Sequence, residues 1–449
     1  MGMNISPGYF VAIVGGAVAG SEAAFRLAKR GIYVVVFDQK TRPYGKIEDG
    51  LPIWHLKLRT QQKKKIDEKL SNSNIFFVPR TKLGKDIAFL DLANNWGFSA
   101  VLLANGVWKD RIMPVDKAKD YVGKGLILQN SLIKWFNRKY ENENPSYRNG
   151  LDDDAIVIGG GLASLDVVKI IMLETVLSKL KKRGIQTDIF TLERKSIKEI
   201  LSINNISLRD LGLTGCTLYY RRRIRDMPLV YLPPEADIPT KRKVYKTREK
   251  ILNNFKEKNL FRIQDCRVPT GLITKDDKLI GLTFVETETI DGKLKIKYGT
   301  EYSVFSNLVI SSIGSIPEPI PGIKMNEEYY DILDQDTGQL NQYKHVFALG
   351  NVVTGKGNIK KSLIHGRQVA DYVMDYYLAW REQDYEELLN RGALDVKVKL
   401  ELISDYLARK NLLPVNKVEE IINKIHSFQR RVGFDGDYNS WIKRYKSNY

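Results

Sequence analysis

The sequence predicts an α/β fold of two three-layer domains, each a parallel sheet between helices, with the second domain inserted in the first. Three observations carry this. The run Val11-Ala-Ile-Val-Gly15-Gly16-Ala17-Val18-Ala19-Gly20 joins an apolar strand to a helix through glycine. A second run, Ala155-Ile-Val-Ile-Gly159-Gly160-Gly161-Leu162-Ala163-Ser164, repeats the arrangement a domain's length later. Strand-type runs then alternate with helix-type runs around both turns, as βαβ units require. Such a turn lets the backbone approach a pyrophosphate, which sits on the positive end of the helix. One glycine turn is a weak signal. Two at this separation predict Rossmann-like domains for two dinucleotides, and hence a chain able to pass a hydride between them.

The first domain opens with strand Phe10–Val14, helix Ser21–Arg30 and strand Tyr33–Phe37, ending at Asp38. A glycine-rich loop, Pro43–Gly50, precedes a polar helix near Arg59–Leu70 and a strand at Ile75–Pro79. Strand Ala100–Leu103 runs into Ala104-Asn105-Gly106. The polar stretch Glu141–Asp154 reads as a linker. Beyond it, helix Leu162–Lys182 has apolar residues at helical spacing, and strand-like runs follow at Thr187–Leu192, Thr217–Tyr220, Gly281–Glu286 and Lys293–Tyr298. Strand Leu308–Ile313 ends at Gly314, Pro317–Gly322 crosses back, and His345–Leu349 leads through Gly350-Asn351 to helix Ser362–Trp380. The expected division is 1–115 and 316–384 for the first domain, 150–315 for the second, and 385–449 for a charged, helical C-terminal extension.

Composition narrows the function classes. The 449 residues are 43% hydrophobic and 28% charged, with no apolar run long enough to span a membrane. The glycines of the Tyr9–Val18 stretch and its lack of a basic lead argue against a signal peptide. Two cysteines, Cys216 and Cys266, form no disulfide framework, no Cys-x-x-Cys and no four-cysteine cluster site. A reducing, cytoplasmic setting is expected, and electrons must leave to an external acceptor. No metal site is expected. The formal net charge is +18, a field that attracts an acidic partner.

Asp38 ends the second strand, where a carboxylate accepts the ribose hydroxyls of an adenine nucleotide. In the second domain, Thr217–Tyr220 runs into Arg221-Arg222-Arg223, and arginine forks suit a 2′-phosphate. That reading favours NADP(H). The competing strand, Thr187–Leu192, ends in Glu193, which would suit an unphosphorylated ribose.

With these residues in view, the chain resembles flavoproteins with two dinucleotide-binding domains. The likeness is to the adrenodoxin reductase type of ferredoxin–NADP reductase and to the glutamate synthase small subunit. Pro43-Tyr-Gly45-Lys46 is similar to the family's loop beside the flavin, and Ala104-Asn105-Gly106 to its Ala-Thr-Gly stretch. Gly159 to Asp166 matches its second turn, and Tyr220-Arg221-Arg222 with Met227-Pro228 its NADP signature. Gly350-Asn351 through Gly357-Asn358-Ile359 resembles its C-terminal flavin segment. Ala17 replaces the usual central glycine, and Asn351 stands where many relatives have aspartate.

The resemblance implies FAD held by Gly15, Gly16, Ala17, Gly20, Asp38, Gly45, Lys46, Ala104, Gly106, Gly350, Asn351, Gly357, Asn358 and Ile359. It implies NADP(H) held by Gly159, Gly161, Leu162, Ala163, Ser164, Arg221 and Arg222. It also implies a pair, His55 and Asp166, for proton handling or for positioning the nicotinamide. The expected activity is hydride transfer from NADPH to FAD and single-electron delivery to an acidic, ferredoxin-like iron–sulfur protein. An electron-supplying subunit docked through its C-terminal helices is the alternative. The opening Gly-Ala-x-Ala-Gly-Ser-Glu-Ala-Ala is also similar to a tRNA-modifying flavoprotein, but the arginine cluster, Asp166 and the second turn disfavour nucleic acid.

Overall fold

The computed structural model describes residues 5–141, 151–355, 358–378 and 412–445. The chain divides into two compact units. One comprises Met1–Glu48, Leu56–Lys109 and Ile316–Tyr449; the other comprises Asp49–His55 and Asp110–Ser315.

The first unit is built on a six-stranded sheet in the order Gln339–Leu340, Tyr343–Ala348, Ala100–Leu103, Phe10–Val14, Tyr33–Phe37, Ile75–Val78. Every pairing is parallel except the edge hairpin of the first two strands. Strands Phe10–Val14, Tyr33–Phe37 and Ala100–Leu103 are buried throughout. Their unbroken apolar sequences are what a parallel strand covered on both faces requires. Helix Val18–Lys29 and helix Ile359–Tyr372 pack together so closely that a Cβ on Gly366 would stand 2.7 Å from the Ala19 carbonyl oxygen. Near them the buried Glu22 carboxylate gathers Lys69, Arg26 and Arg367 at 2.7, 3.2 and 3.1 Å. Burial would raise its pKa, but the three cations hold it below the ordinary carboxylate value.

The C-terminal residues complete this unit's core. Val418, Ile421, Ile422 and Ile425 of helix Val415–Arg431 are buried with Phe10, Ala12, Val35, Phe37 and Val78. Gln429 Nε2 donates to the Phe77 carbonyl at 2.9 Å. Ile425→Ala is therefore expected to cost about 2–5 kcal/mol in denaturant unfolding. Replacing its exposed neighbour Glu419 by alanine should cost under about 0.5 kcal/mol.

The second unit carries a five-stranded parallel sheet in the order Leu126–Leu128, Val309–Ser312, Ile156–Gly159, Thr217–Tyr219, Arg262–Gln264. Helix Leu162–Lys182 follows the Ile156–Gly159 strand directly. An antiparallel sheet adds Arg267–Lys275, Lys278–Ile290, Lys293–Ile296 and Tyr302–Phe305.

Three expectations are corrected. Residues 187–192 form no strand: helix Ile189–Lys195 stands there, because Asp188 accepts the N–H groups of Phe190 and Thr191 and caps it. The helix expected over Ser362–Trp380 spans Ile359–Tyr372, followed by a wider π turn at Val373–Tyr377; Trp380 lies outside the described residues. Strand Leu126–Leu128 and helix Gln129–Tyr140 stand where the sequence predicts no element. Most of the expected linker lies outside the described residues. No described helix is long and apolar enough to cross a membrane. Among the described residues no cluster of His, Cys, Asp or Glu could hold a metal ion.

Candidate cofactor sites

The first site is a cleft in the first unit, at the carboxyl ends of its parallel strands. It is open to solvent, with a cavity volume of about 170 Å³. Ten of the residues expected to hold FAD line it: Gly15, Ala17, Asp38, Gly45, Lys46, Ala104, Gly106, Asn351, Asn358 and Ile359. Three others shape the wall behind them. Gly16 donates its N–H to Asp38 Oδ2 at 2.9 Å. Gly20 lies against Gly15: a Cβ there would stand 1.8 Å from the Gly15 carbonyl oxygen. Gly350 starts the short helix Asn351–Thr354, and its N–H is held by the buried His365 Nδ1 at 2.9 Å. Gly357 lies outside the described residues.

Gly15 has φ +99° and faces the Ala104 carbonyl, so only glycine turns the chain there without strain. Ala17 is accommodated by Gly45, whose missing side chain leaves room for its methyl group. Asp38 also accepts the Lys40 N–H at 2.8 Å, so both carboxylate oxygens are aimed by backbone donors.

An orphaned atom supports a polar ligand here. Asn105 Oδ1 is buried without a hydrogen-bond partner, while its Nδ2 donates to the Tyr330 hydroxyl at 2.9 Å. Burial pushes the Tyr330 phenol up to about 12, so it stays a neutral donor to the Glu318 carbonyl. The residues present thus fit a dinucleotide with a ribose at Asp38 and polar edges near Asn105.

Sequence reasoning missed Trp108, Lys40 and Thr81 in the lining. The Lys40 and Lys46 ammonium groups lie 5.8 and 5.9 Å from the Trp108 ring. Lys40 and Trp108 could have been marked by their nearness in sequence to Asp38 and Gly106, whereas nothing in the sequence marks Thr81.

The second site is the glycine turn of the second unit. A Cβ on Gly160 would meet the Tyr220 ring at 2.2 Å, so that ring lies across the turn. Gly161 faces open space, and Leu162 begins the 21-residue helix with its side chain exposed. Ala163 follows in the first turn of that helix. Ser164 is buried behind it, donating to the Ser312 carbonyl at 2.9 Å and lying 3.1 Å from the Ser312 hydroxyl. Its place is to tie helix to strand, and Gly159 is squeezed between those same groups.

The next strand in the sheet is Thr217–Tyr219, so Arg221 and Arg222 follow the strand end that meets an adenine ribose. Arg221 is exposed. Arg222 is half-buried, and its Nε is buried without a hydrogen-bond partner. Such an orphaned donor of a guanidinium fits a phosphate oxygen. Glu193 sits at no strand end. It belongs to helix Ile189–Lys195 and pairs with Lys169 at 2.6 Å, which removes the competing site for an unphosphorylated ribose.

His55 and Asp166 meet within this second unit. His55 ends the 3-10 turn Ile53–His55, and its Nε2 lies 3.4 Å from Asp166 Oδ1 on helix Leu162–Lys182. The turn is anchored by buried Ile53 and by Trp54, whose ring packs on Phe136 at 5.1 Å. The Lys169 ammonium covers the same ring at 4.7 Å. The imidazole is half-exposed, open to solvent or ligand on one side.

No protein-family model matches the chain. A Schizosaccharomyces pombe protein named "Probable NADPH:adrenodoxin oxidoreductase, mitochondrial" is 22% identical over 349 residues, 70% of each chain. The "Glutamate synthase [NADPH] small chain" of Bacillus subtilis is 31% identical over 161 residues, covering 35% of this chain and 31% of that one. The structure titled "Mycobacterium tuberculosis FprA in complex with NADPH" superposes with a TM-score of 0.62 at 17% identity, covering 90% of both chains. The chain therefore has the α/β fold of the flavoproteins with two dinucleotide-binding domains, and in sequence it is similar to NADPH:adrenodoxin oxidoreductase and to the glutamate synthase small chain.

Proposed function

We propose that this chain is an FAD-dependent NADPH oxidoreductase that delivers electrons to an acidic, ferredoxin-like iron–sulfur protein. The observation that carries the reading is the pairing, in one chain, of the Asp38 cleft with a second glycine turn whose neighbouring strand ends in Arg221 and Arg222. A bound flavin would supply the exchange between two-electron and one-electron transfer. Asp38, Ala17 and Asn105 would orient that group, and Leu162 and Ala163 would present helix N–H groups to the pyrophosphate of NADPH. Arg221 and Arg222 would neutralise the 2′-phosphate. His55, steadied by Asp166, would hold a proton at Nε2 or position the nicotinamide.

The acceptor's character is supported by charge. The +18 surplus includes exposed Arg242, Lys243, Lys246 and Lys250 on helix Ile238–Asn259 of the second unit. Such a surface steers an acidic partner. Burial pushes the Cys216 thiol up to about 12, so a thiolate relay is not available to it. Both cysteines are free.

The direct test is the visible flavin spectrum of purified protein, bleached by NADPH without air and restored by an acidic ferredoxin. Protein that takes up no flavin ends the reading. Substituting His55→Gln is expected to slow flavin reduction by about tenfold, below the 10²–10⁴ of full general acid catalysis because a glutamine still fills the site. Stopped-flow bleaching measures it, and an unchanged rate removes His55 from the machinery.

A second reading, an electron-supplying subunit of a larger complex, draws on the likeness to the B. subtilis chain. Val418, Ile421, Ile425 and Trp441 of the C-terminal helices are buried in the first unit, so docking through those helices would use their charged faces. Co-purification of a large partner in place of ferredoxin reduction would favour that reading.

A further inference from the structure

The last described helix of the first unit, Tyr438–Arg444, lines no part of the cleft, yet it is fastened to a loop that does. That loop, residues 38–48, has two sides. Asp38, Gln39, Lys40, Tyr44, Gly45, Lys46 and Ile47 line the cleft. Between them, Thr41 and Arg42 meet the C-terminal segment.

Three ties join them. The buried Trp441 donates its Nε1–H to the Thr41 carbonyl at 2.7 Å. Arg42 donates from Nη1 to the Tyr445 carbonyl at 2.6 Å. Tyr438 donates to Asp67 Oδ1 at 2.7 Å, and Tyr44 donates to the same carboxylate at 3.0 Å. Asp67 thus couples a phenol on the cleft wall to one on the C-terminal helix. Burial, then the Asp67 charge, holds both phenols above their ordinary value, so both remain donors. From the loop's own side, Glu48 ties Arg42 and Lys63 at 2.8 and 2.6 Å. The Arg80 guanidinium closes the arrangement 5.3 and 4.9 Å from the Trp441 and Tyr445 rings.

We infer that the C-terminal helix is a clasp that positions the 38–48 loop for the cofactor, with Tyr438 and Trp441 as positioning residues. The inference rests on reading the cleft as the FAD site. A loop that carries seven lining residues yet belongs to no strand or long helix loses conformational freedom when the cofactor binds. Hydrogen bonds on its outer side remove that freedom beforehand, which raises affinity without touching the ligand. Apolar packing alone would not require the donors to converge on Thr41, Asp67 and the carbonyl of Tyr445.

The test uses the full chain with Tyr438→Phe, Trp441→Phe and both together. Three quantities are measured: FAD affinity by titration of flavin-free protein, NADPH affinity, and the unfolding midpoint of the flavin-free protein. The double variant is expected to bind FAD about tenfold more weakly, as loss of a hydrogen bond to a charged group would give. NADPH affinity should stay within about twofold, since its residues lie in the other unit. Unchanged FAD affinity with a lowered midpoint overturns the clasp and leaves the helix a structural cover. Equal losses of FAD and NADPH affinity overturn it as well. Should the double variant not fold, Tyr438→Phe alone keeps the ring packing and is expected to weaken FAD about threefold. Wild-type protein that binds no FAD sinks the underlying cleft reading before any substitution is made.

Discussion

Replacing Arg221 and Arg222 together by alanine is expected to raise the KM for NADPH by about a hundredfold. Each guanidinium can give a 2′-phosphate a charge-assisted bond worth about 1.5–3 kcal/mol. Arg221 is exposed and screened, so the pair is credited with about 2.7 kcal/mol, two factors of ten. Arg222 carries the larger share, because its buried Nε has no partner within the protein. NADH offers no phosphate at this position, so its KM should move by less than about threefold. The measurement is steady-state kinetics with both nucleotides. Equal losses would mean that the arginines hold the strand end together and do not read the phosphate. Such a result would not restore Glu193, which is committed to Lys169 of helix Leu162–Lys182.

Gly20→Val should abolish flavin retention. A Cβ at Gly20 would stand 1.8 Å from the carbonyl oxygen of Gly15, a backbone atom with no rotamer to give. The helix must therefore move off the turn, and the Gly15–Ala17 backbone loses its place against the cofactor. Purified variant is expected to carry less than about a tenth of the wild-type FAD content, as a core overpacking of several kcal/mol implies. Ala17→Gly makes the contrast. It removes only a methyl that Gly45 already accommodates, and flavin content should remain near that of wild type. Normal flavin content in the Gly20 variant would show that this turn does not bear on the cofactor.

Much of the fold and of both sites is legible in the residues themselves. The two glycine turns, Asp38 at a strand end and the arginines after Thr217–Tyr220 are local patterns whose meaning depends on spacing, and spacing is in the sequence. Tertiary context decides the rest. Thr187–Leu192 is a short apolar run that suits strand or helix equally; the Asp188 side chain settles it as helix. Leu126–Leu128 is too short for any periodicity to reveal. Ser164 looks like a ligand because its position in the motif says so, but burial against Ser312 is not readable from one residue type. Val418, Ile421, Ile422 and Ile425 announce a helix with one apolar face, yet nothing in the pattern names the sheet it covers. Trp108 and Thr81 reach the cleft from loops, where no repeat exists to count.

The register of one strand pair bears on how the protein comes to exist. Val346 lies beside Val101 in the first unit's sheet, and nearly all of the second unit intervenes in the chain. Closing so long a span costs entropy that grows only slowly with length, about 0.6 kcal/mol per doubling. Search time is affected more, because contacts distant along the chain slow folding. During refolding the second unit can condense early from mostly contiguous residues, while the first unit's cleft waits for strand Tyr343–Ala348 to arrive. Competence for NADPH should precede capture of flavin, and a chain interrupted midway would hold the first without the second.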